Sequence, residues 1–284
     1  DKRSNRKKHI VFNTRIRAKI NIMSTLTFTL IQTNLHWEKK IANLQMLHDK
    51  INAIEEKTEV IVLPEMFSTG FSMQPKLFAE TMEGETVEWM RTTAAENKII
   101  LTGSVIIKEN EQYYNRLIWM LPDGNVGYYN KRHLFAYGEE DLHYTPGDKR
   151  LIASVKGWKI NLQVCYDLRF PVWARQQPSH QHPEYDVLVY VANWPQKRSH
   201  AWKTLLCARA IENQCYVIGV NRVGKDGNDI YHSGNSLVIS PLGEVLYHME
   251  DEEDVFTITL EKEMLDEVRN KFPFWKDADD FRVM

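Results

Sequence analysis

The sequence predicts an α/β fold with parallel strands, and three observations lead there. The chain opens strand, helix, strand. TLTFTLIQTN alternates apolar and polar residues, and the stretch after Trp37 puts Ile41, Leu44, Leu47, Ile51 and Ile54 at helical spacing. EVIVLPE (59–65) is then a short apolar run stopped by Pro64 and Glu65. Such a βαβ opening implies parallel pairing. Second, short β runs and helical stretches keep alternating to the carboxyl end. Third, no low-complexity linker divides the chain, and 284 residues at 43% hydrophobic content suffice for one large core.

The remaining elements follow the same logic. TVEWMRTTAAEN reads as a helix, and KIILTGSVII and YYNRLIWMLP read as strands. PDGNVG is a turn, with Gly124 and Gly127 free to take positive φ. VGYYNKRHLF ends a strand in a polar segment, and GWKINLQVC and DVLVYVANWP are further strands. HAWKTLLCARAIEN is a helix and QCYVIGVNRVG a strand; GNSLVISPLGEVLYHM forms two strands about a Pro-Leu-Gly turn. DVFTITLE is a last strand, before the helix KEMLDEVRN.

A formal net charge of −2 offers no pull toward nucleic acid or anionic membrane, and no stretch has the apolar length to span a bilayer. A small-molecule partner is expected. Three cysteines, an odd number, argue against a disulfide framework and fit the reducing cytoplasm. Residues 1–23 form a basic amino-terminal extension, expected to lie outside the fold; a clean β pattern begins directly after Met23. The domain is then 24–284. A nucleic-acid arm is the alternative reading of that extension.

Reactive groups cluster at strand ends. Cys165 closes KINLQV and precedes a turn where Pro171 can open a helix. The thiol reads either as a small buried hydrophobe or as a nucleophile exposed at the sheet edge, where backbone N–H groups can hold an oxyanion. Cys207 and Cys215 suit the former. Glu65 just past VLP is a loop residue or a general base, and Lys131 after GYYN is a surface lysine or a site cation. If their strands are parallel neighbours, Glu65, Lys131 and Cys165 converge on one edge. His180 and His182 in HQH lack a third metal ligand. His133 and His143 leave a Cys-His dyad open.

With these residues in hand, the chain resembles the nitrilase superfamily of carbon–nitrogen hydrolases. LPEMFSTGF looks like its glutamate block, YNKRHLF its lysine block and VCYDLRFP its cysteine block, in the family's order. The family's second glutamate stands seven residues before the Gly of a PGD turn, which is Glu140 here, with Glu139 a weaker choice. LPEMFSTGFSM, KRHLFAYGEEDLHY and KFPFWKDADDF look most like bacterial omega-amidases, which act on 2-oxoglutaramate and related dicarboxylate monoamides.

The resemblance implies a four-layer α-β-β-α sandwich, a homodimer, and amide hydrolysis needing no metal and no organic cofactor. Glu65 would take the Cys165 proton, and Lys131 with the Tyr166 backbone N–H would hold the oxyanion. Glu140 would orient Lys131 or the substrate. Asn193 and Trp194 would line the pocket, with Trp202 and Arg209 behind it. Arg169, Arg198 and the His200 region are candidates for a substrate carboxylate, although Arg169 is expected to brace the turn by pairing with Asp167. Lys131→Ala is expected to fold but to be nearly inactive. Rival readings are an N-carbamoyl, nitrile or peptide-derived amide hydrolase of the same superfamily, a Cys-His peptidase, and a non-catalytic binding protein on the same fold.

Overall fold

A computed structural model describes residues 24–177, 182–281 and Val283; the basic extension 1–23 and His180 lie outside the described residues. The first half of the chain carries β1 (Thr25–Gln32), α1 (Lys40–Asn52), β2 (Val60–Val62), α2 (Pro75–Phe78), α3 (Glu85–Asn97), β3 (Ile100–Glu109), β4 (Gln112–Met120) and β5 (Val126–Asn130). The second half carries α4 (Glu140–His143), β6 (Leu151–Val155), β7 (Trp158–Val164), α5 (Pro171–Ala174), β8 (Val187–Ala192) and α6 (Ser199–Asn213). It continues with β9 (Tyr216–Asn221), β10 (Val223–Lys225), β11 (Tyr231–Ile239), β12 (Val245–Glu250), β13 (Asp254–Glu261) and α7 (Lys262–Lys271).

These strands build two sheets. The first runs β13-β1-β2-β3-β4-β5, and the second β10-β11-β9-β8-β7-β6 with β12 on β11. The opening βαβ unit pairs β1 and β2 in parallel, and β2 pairs β3 in parallel. β7, β8 and β9 are likewise parallel neighbours.

Side-chain alternation explains the layering. On β2, Val60 and Val62 face the second sheet, while Ile61, and Leu63 just past the strand, face α1 and α3. On β4, Leu117 and Trp119 point inward, while Ile118 and Met120 join the helix-side cluster. The inward set meets Trp158, Ile160, Leu162 and Val164 of β7, forming the largest core between the sheets. On the far side, Trp202 and Leu206 of α6 press onto β9 at Gly219, where a Cβ would stand 2.8 Å from the Trp202 ring. The order of layers is helix, sheet, sheet, helix.

Some local expectations shift. Ile41 is 63% exposed, so the buried face of α1 is Leu44, Leu47 and Ile51. Gly124 takes φ +83°, but Gly127 sits inside β5 with ordinary strand geometry. The strand Leu151–Val155 and the short helices α2 and α4 carried no clear period, being four or five residues long.

Candidate active site

Glu65, Lys131 and Cys165 do meet, but not because their strands are parallel neighbours. β2 and β5 belong to the first sheet and β7 to the second. β5 is antiparallel to β4, which is antiparallel to β3, so β2 and β5 point the same way and deliver Glu65 and Lys131 to one edge. Face-to-face packing of the sheets then brings Cys165 to them.

Each position is fixed by its backbone. Met66, directly after Glu65, has φ +44° and donates its N–H to Ser104 Oγ at 2.8 Å. Lys131 N–H bonds the Asn115 carbonyl at 3.0 Å, and its own carbonyl accepts from Gly147 N–H at 2.9 Å. Cys165 has φ +44°, an uncommon conformation for a residue with a side chain, as at the strained turns that present nucleophiles. It heads a 3₁₀ turn over Cys165–Arg169, whose leading N–H groups have no intrahelical acceptor. Val164 N–H donates to Asp167 Oδ2 at 3.0 Å and closes that turn.

A buried polar cluster lies beneath. Glu65, Lys131, Glu140 and Asn115 are all fully buried. Lys131 Nζ stands 2.9 Å from Glu65 Oε1, and 3.0 and 2.8 Å from Glu140 Oε1 and Oε2. Asn193 N–H donates to Glu65 Oε2 at 2.8 Å, and its Nδ2 to the Glu65 carbonyl at 2.5 Å. Phe135 N–H donates to Glu140 Oε2 at 2.6 Å. Glu139 is exposed and outside the cluster.

The electrostatics follow from burial and these neighbours. Burial, then the Glu65 carboxylate, push the Cys165 thiol well above its ordinary value, against the opposing pull of Lys131. Burial works against the Lys131 ammonium, but Glu140 and Glu65 outweigh it and hold the proton more firmly than usual. Burial raises Glu140, with Lys131 pulling the other way. The resting arrangement sets a protonated thiol beside Glu65 and the Lys131 ammonium, suited to proton transfer from sulfur and to nucleophilic attack.

Above the cluster opens a cavity of about 540 Å³. Lys131, Cys165, Tyr166, Asn193, Trp194 and Arg198 line it, as do Arg169, Phe71 and Phe135. Arg169 lies over the Trp194 ring at 5.1 Å and Arg198 over Phe135 at 5.1 Å. The expected Arg169–Asp167 pair is not formed, because other donors fill that carboxylate: Tyr129 hydroxyl at 2.8 Å, His133 N–H at 2.9 Å and His133 Nδ1 at 2.8 Å. His133 also stacks on Phe170 at 3.9 Å, and His143 is exposed. His200 is exposed and does not line the cavity. Trp202 and Arg209 pack behind, Arg209 donating to the Leu168 carbonyl at 2.6 Å. Asn115 was not foreseen; a polar residue at an inward position of β4 is the signal that marks it.

The model of the carbon-nitrogen hydrolase family matches residues 27–270. The chain belongs to that family. It is 43% identical over 263 residues to the omega-amidase YafV of Escherichia coli, covering 92% of this chain and all of that one. It is 31% identical to a 2-oxoglutaramate amidase of Bacillus subtilis, over 88% of this chain and 96% of the other. Among solved structures, a carbon–nitrogen hydrolase superfamily protein of Xanthomonas campestris, with an arsenic adduct in its active site, superposes with a TM-score of 0.89. It shares 42% identity, over 92% of this chain and all of that chain. Among the described residues of the hydrolase, no helix is long and apolar enough to cross a membrane.

Proposed function

We propose that this hydrolase is an omega-amidase. It takes a small dicarboxylic acid monoamide, of which 2-oxoglutaramate is the first candidate, and releases ammonia and the dicarboxylate. One observation carries the choice of substrate class: Arg169 and Arg198 share the cavity with Cys165, and neither has a carboxylate partner among the described residues. A planar guanidinium resting on an aromatic face is suited to take a carboxylate. The names of the similar proteins point the same way.

In this mechanism Glu65 takes the thiol proton as sulfur attacks the amide carbonyl. Lys131 and the Tyr166 backbone N–H stabilise the oxyanion. The Glu65 proton passes to the departing nitrogen, and ammonia leaves a thioester on Cys165. Water, deprotonated by Glu65, then hydrolyses the thioester and regenerates the thiol. Glu140 holds Lys131 in place. Asn193 serves the substrate pocket and, through its two bonds to Glu65, the base as well.

A homodimer in the cytoplasm, with residues 1–23 outside the catalytic domain, completes the proposal. The exposed apolar residues Val172, Ile211 and Leu242 give a second subunit something to bury. Sedimentation at micromolar concentration checks the dimer. The substrate is tested by ammonia release from 2-oxoglutaramate beside an amide of equal length lacking the carboxylate. A strong preference for the former supports the proposal; equal rates remove the omega-amide reading while leaving the family intact.

A further inference from the structure

Asn115 shares its face of β4 with Leu117 and Trp119, both in the inter-sheet core, yet it carries an amide. That amide is fully buried. Its Nδ2 donates to Glu65 Oε1 at 2.8 Å and to Glu140 Oε1 at 3.1 Å. Lys131 Nζ bonds the same two oxygens, at 2.9 and 3.0 Å. One pair of carboxylate oxygens is thus bridged twice, once by an ammonium and once by a neutral amide. Asn115 Oδ1, by contrast, accepts no hydrogen bond among the described residues. Leaving a buried acceptor unpaired is unfavourable. The orientation is nonetheless the right one, because the flipped amide would set Oδ1 against two carboxylates.

We propose that Asn115 is a positioning residue for the cysteine reaction: its amide keeps Glu65 and Glu140 as two separate, ionised carboxylates and leaves Glu65 Oε2 free of both bridging donors. The proposal rests on the reading that Glu65 takes the Cys165 proton. Two carboxylates this close tend to share a proton, since each raises the affinity of the other. One ammonium offsets part of the repulsion, and the amide supplies one further donor to each. The other groups around the pair are the Cys165 thiol beside Glu65, the Asn193 N–H on Glu65 Oε2, the Phe135 N–H on Glu140, and the Tyr144 hydroxyl, which feels Glu140, Lys131, Glu65 and Glu38. Without the amide, the pair retains a proton to higher pH and the base is lost from the acid side first.

The test reads Cys165 directly and needs no knowledge of the substrate. Alkylation by iodoacetamide is followed on the Cys165 peptide by mass spectrometry, from acid to alkaline pH, in the full chain. Wild type, Asn115→Leu, Asn115→Asp and Glu65→Gln are compared; Leu keeps the volume without donors, and Asp keeps the shape with an added charge. The expected result for Asn115→Leu is an acid limb displaced upward by about one pH unit, with a rate lower by roughly tenfold on that limb and little change on the plateau. Asn115→Asp moves further the same way. An unmoved acid limb in whichever of the two folds overturns the proposal, however far the plateau falls, because a merely structural role lowers the rate at all pH alike. The Glu65→Gln control separates the failures. If it keeps the wild-type profile, the base reading falls and this proposal with it. If its limb moves instead to alkaline pH, where the thiol itself ionises, while the Asn115 variants leave theirs in place, the Asn115 proposal alone falls.

Discussion

Lys131 grips Glu140 through both carboxylate oxygens, at 3.0 and 2.8 Å, while its remaining contact reaches Glu65 at 2.9 Å. Three ammonium protons meet three carboxylate contacts inside a fully buried site. The lysine is thus structural as well as a candidate oxyanion donor. The sequence-based expectation is that Lys131→Ala still folds; the cluster adds that it does so with reduced stability. Removing the one cation between two buried carboxylates costs on the order of 3–5 kcal/mol. Urea unfolding at pH 7 should show that loss, with activity down by about a hundredfold or more in the folded fraction. Unchanged stability would contradict the cluster as described.

Gly147 explains how the lysine is held from behind. A Cβ at this glycine would overlap the Asn130 carbonyl oxygen, and the Gly147 N–H bonds the Lys131 carbonyl at 2.9 Å. The requirement is for space, since Gly147 does not have positive φ. Gly147→Ala must therefore push the turn off β5 and drag Lys131 with it. The expected cost is about 1–3 kcal/mol of stability, with a fall in kcat larger than any change in KM. Thermal unfolding and steady-state kinetics check both parts.

The pH dependence follows from the thiol. Burial first, and then Glu65, hold Cys165 protonated above its ordinary range. In the proposed mechanism a carboxylate takes that proton, so wild-type turnover should reach its plateau below about pH 8.5, where a free thiol ionises. In Glu65→Gln the carboxylate's contribution to the raised thiol pKa disappears, but burial, the larger cause, stays. Activity should fall by roughly 10²- to 10⁴-fold near neutrality and recover in part only at alkaline pH. A near-normal rate at pH 7 in this variant would remove Glu65 as the base.

Arg198 tests the substrate assignment. Truncating a guanidinium that binds a carboxylate removes charged hydrogen bonds worth about 1.5–3 kcal/mol. Arg198→Ala should therefore raise KM for 2-oxoglutaramate by about ten- to a hundredfold and leave a neutral amide unaffected. An equal change for both substrates would place Arg198 outside carboxylate recognition.

Much of this was legible in the sequence because strands end abruptly. Pro64 and Glu65 stop β2, the polar run from Asn130 stops β5, and Cys165 stops β7, so three reactive groups declared themselves by position. Their meeting point was less legible. Parallel neighbours were the simple route to convergence, whereas the observed route is packing between two sheets, which no local pattern encodes. Asn115 was passed over because a single amide inside an apolar strand resembles ordinary variation until its partners, distant in sequence, are known. Arg169 was misassigned because the nearest carboxylate in sequence, Asp167, is filled by His133 and Tyr129 from another segment. Ile41 fitted the helical period but fell one position beyond the face that α1 buries.

In the proposed mechanism Cys165 carries the acyl group between two half-reactions. Intact-protein mass spectrometry on acid-quenched samples taken during turnover of 2-oxoglutaramate tests it most directly. A transient mass increase equal to the acyl group, located on the peptide containing Cys165, is expected. That increase is absent from Cys165→Ala, which releases no ammonia. Ammonia release by Cys165→Ala, or an acyl group found on another residue, would contradict it.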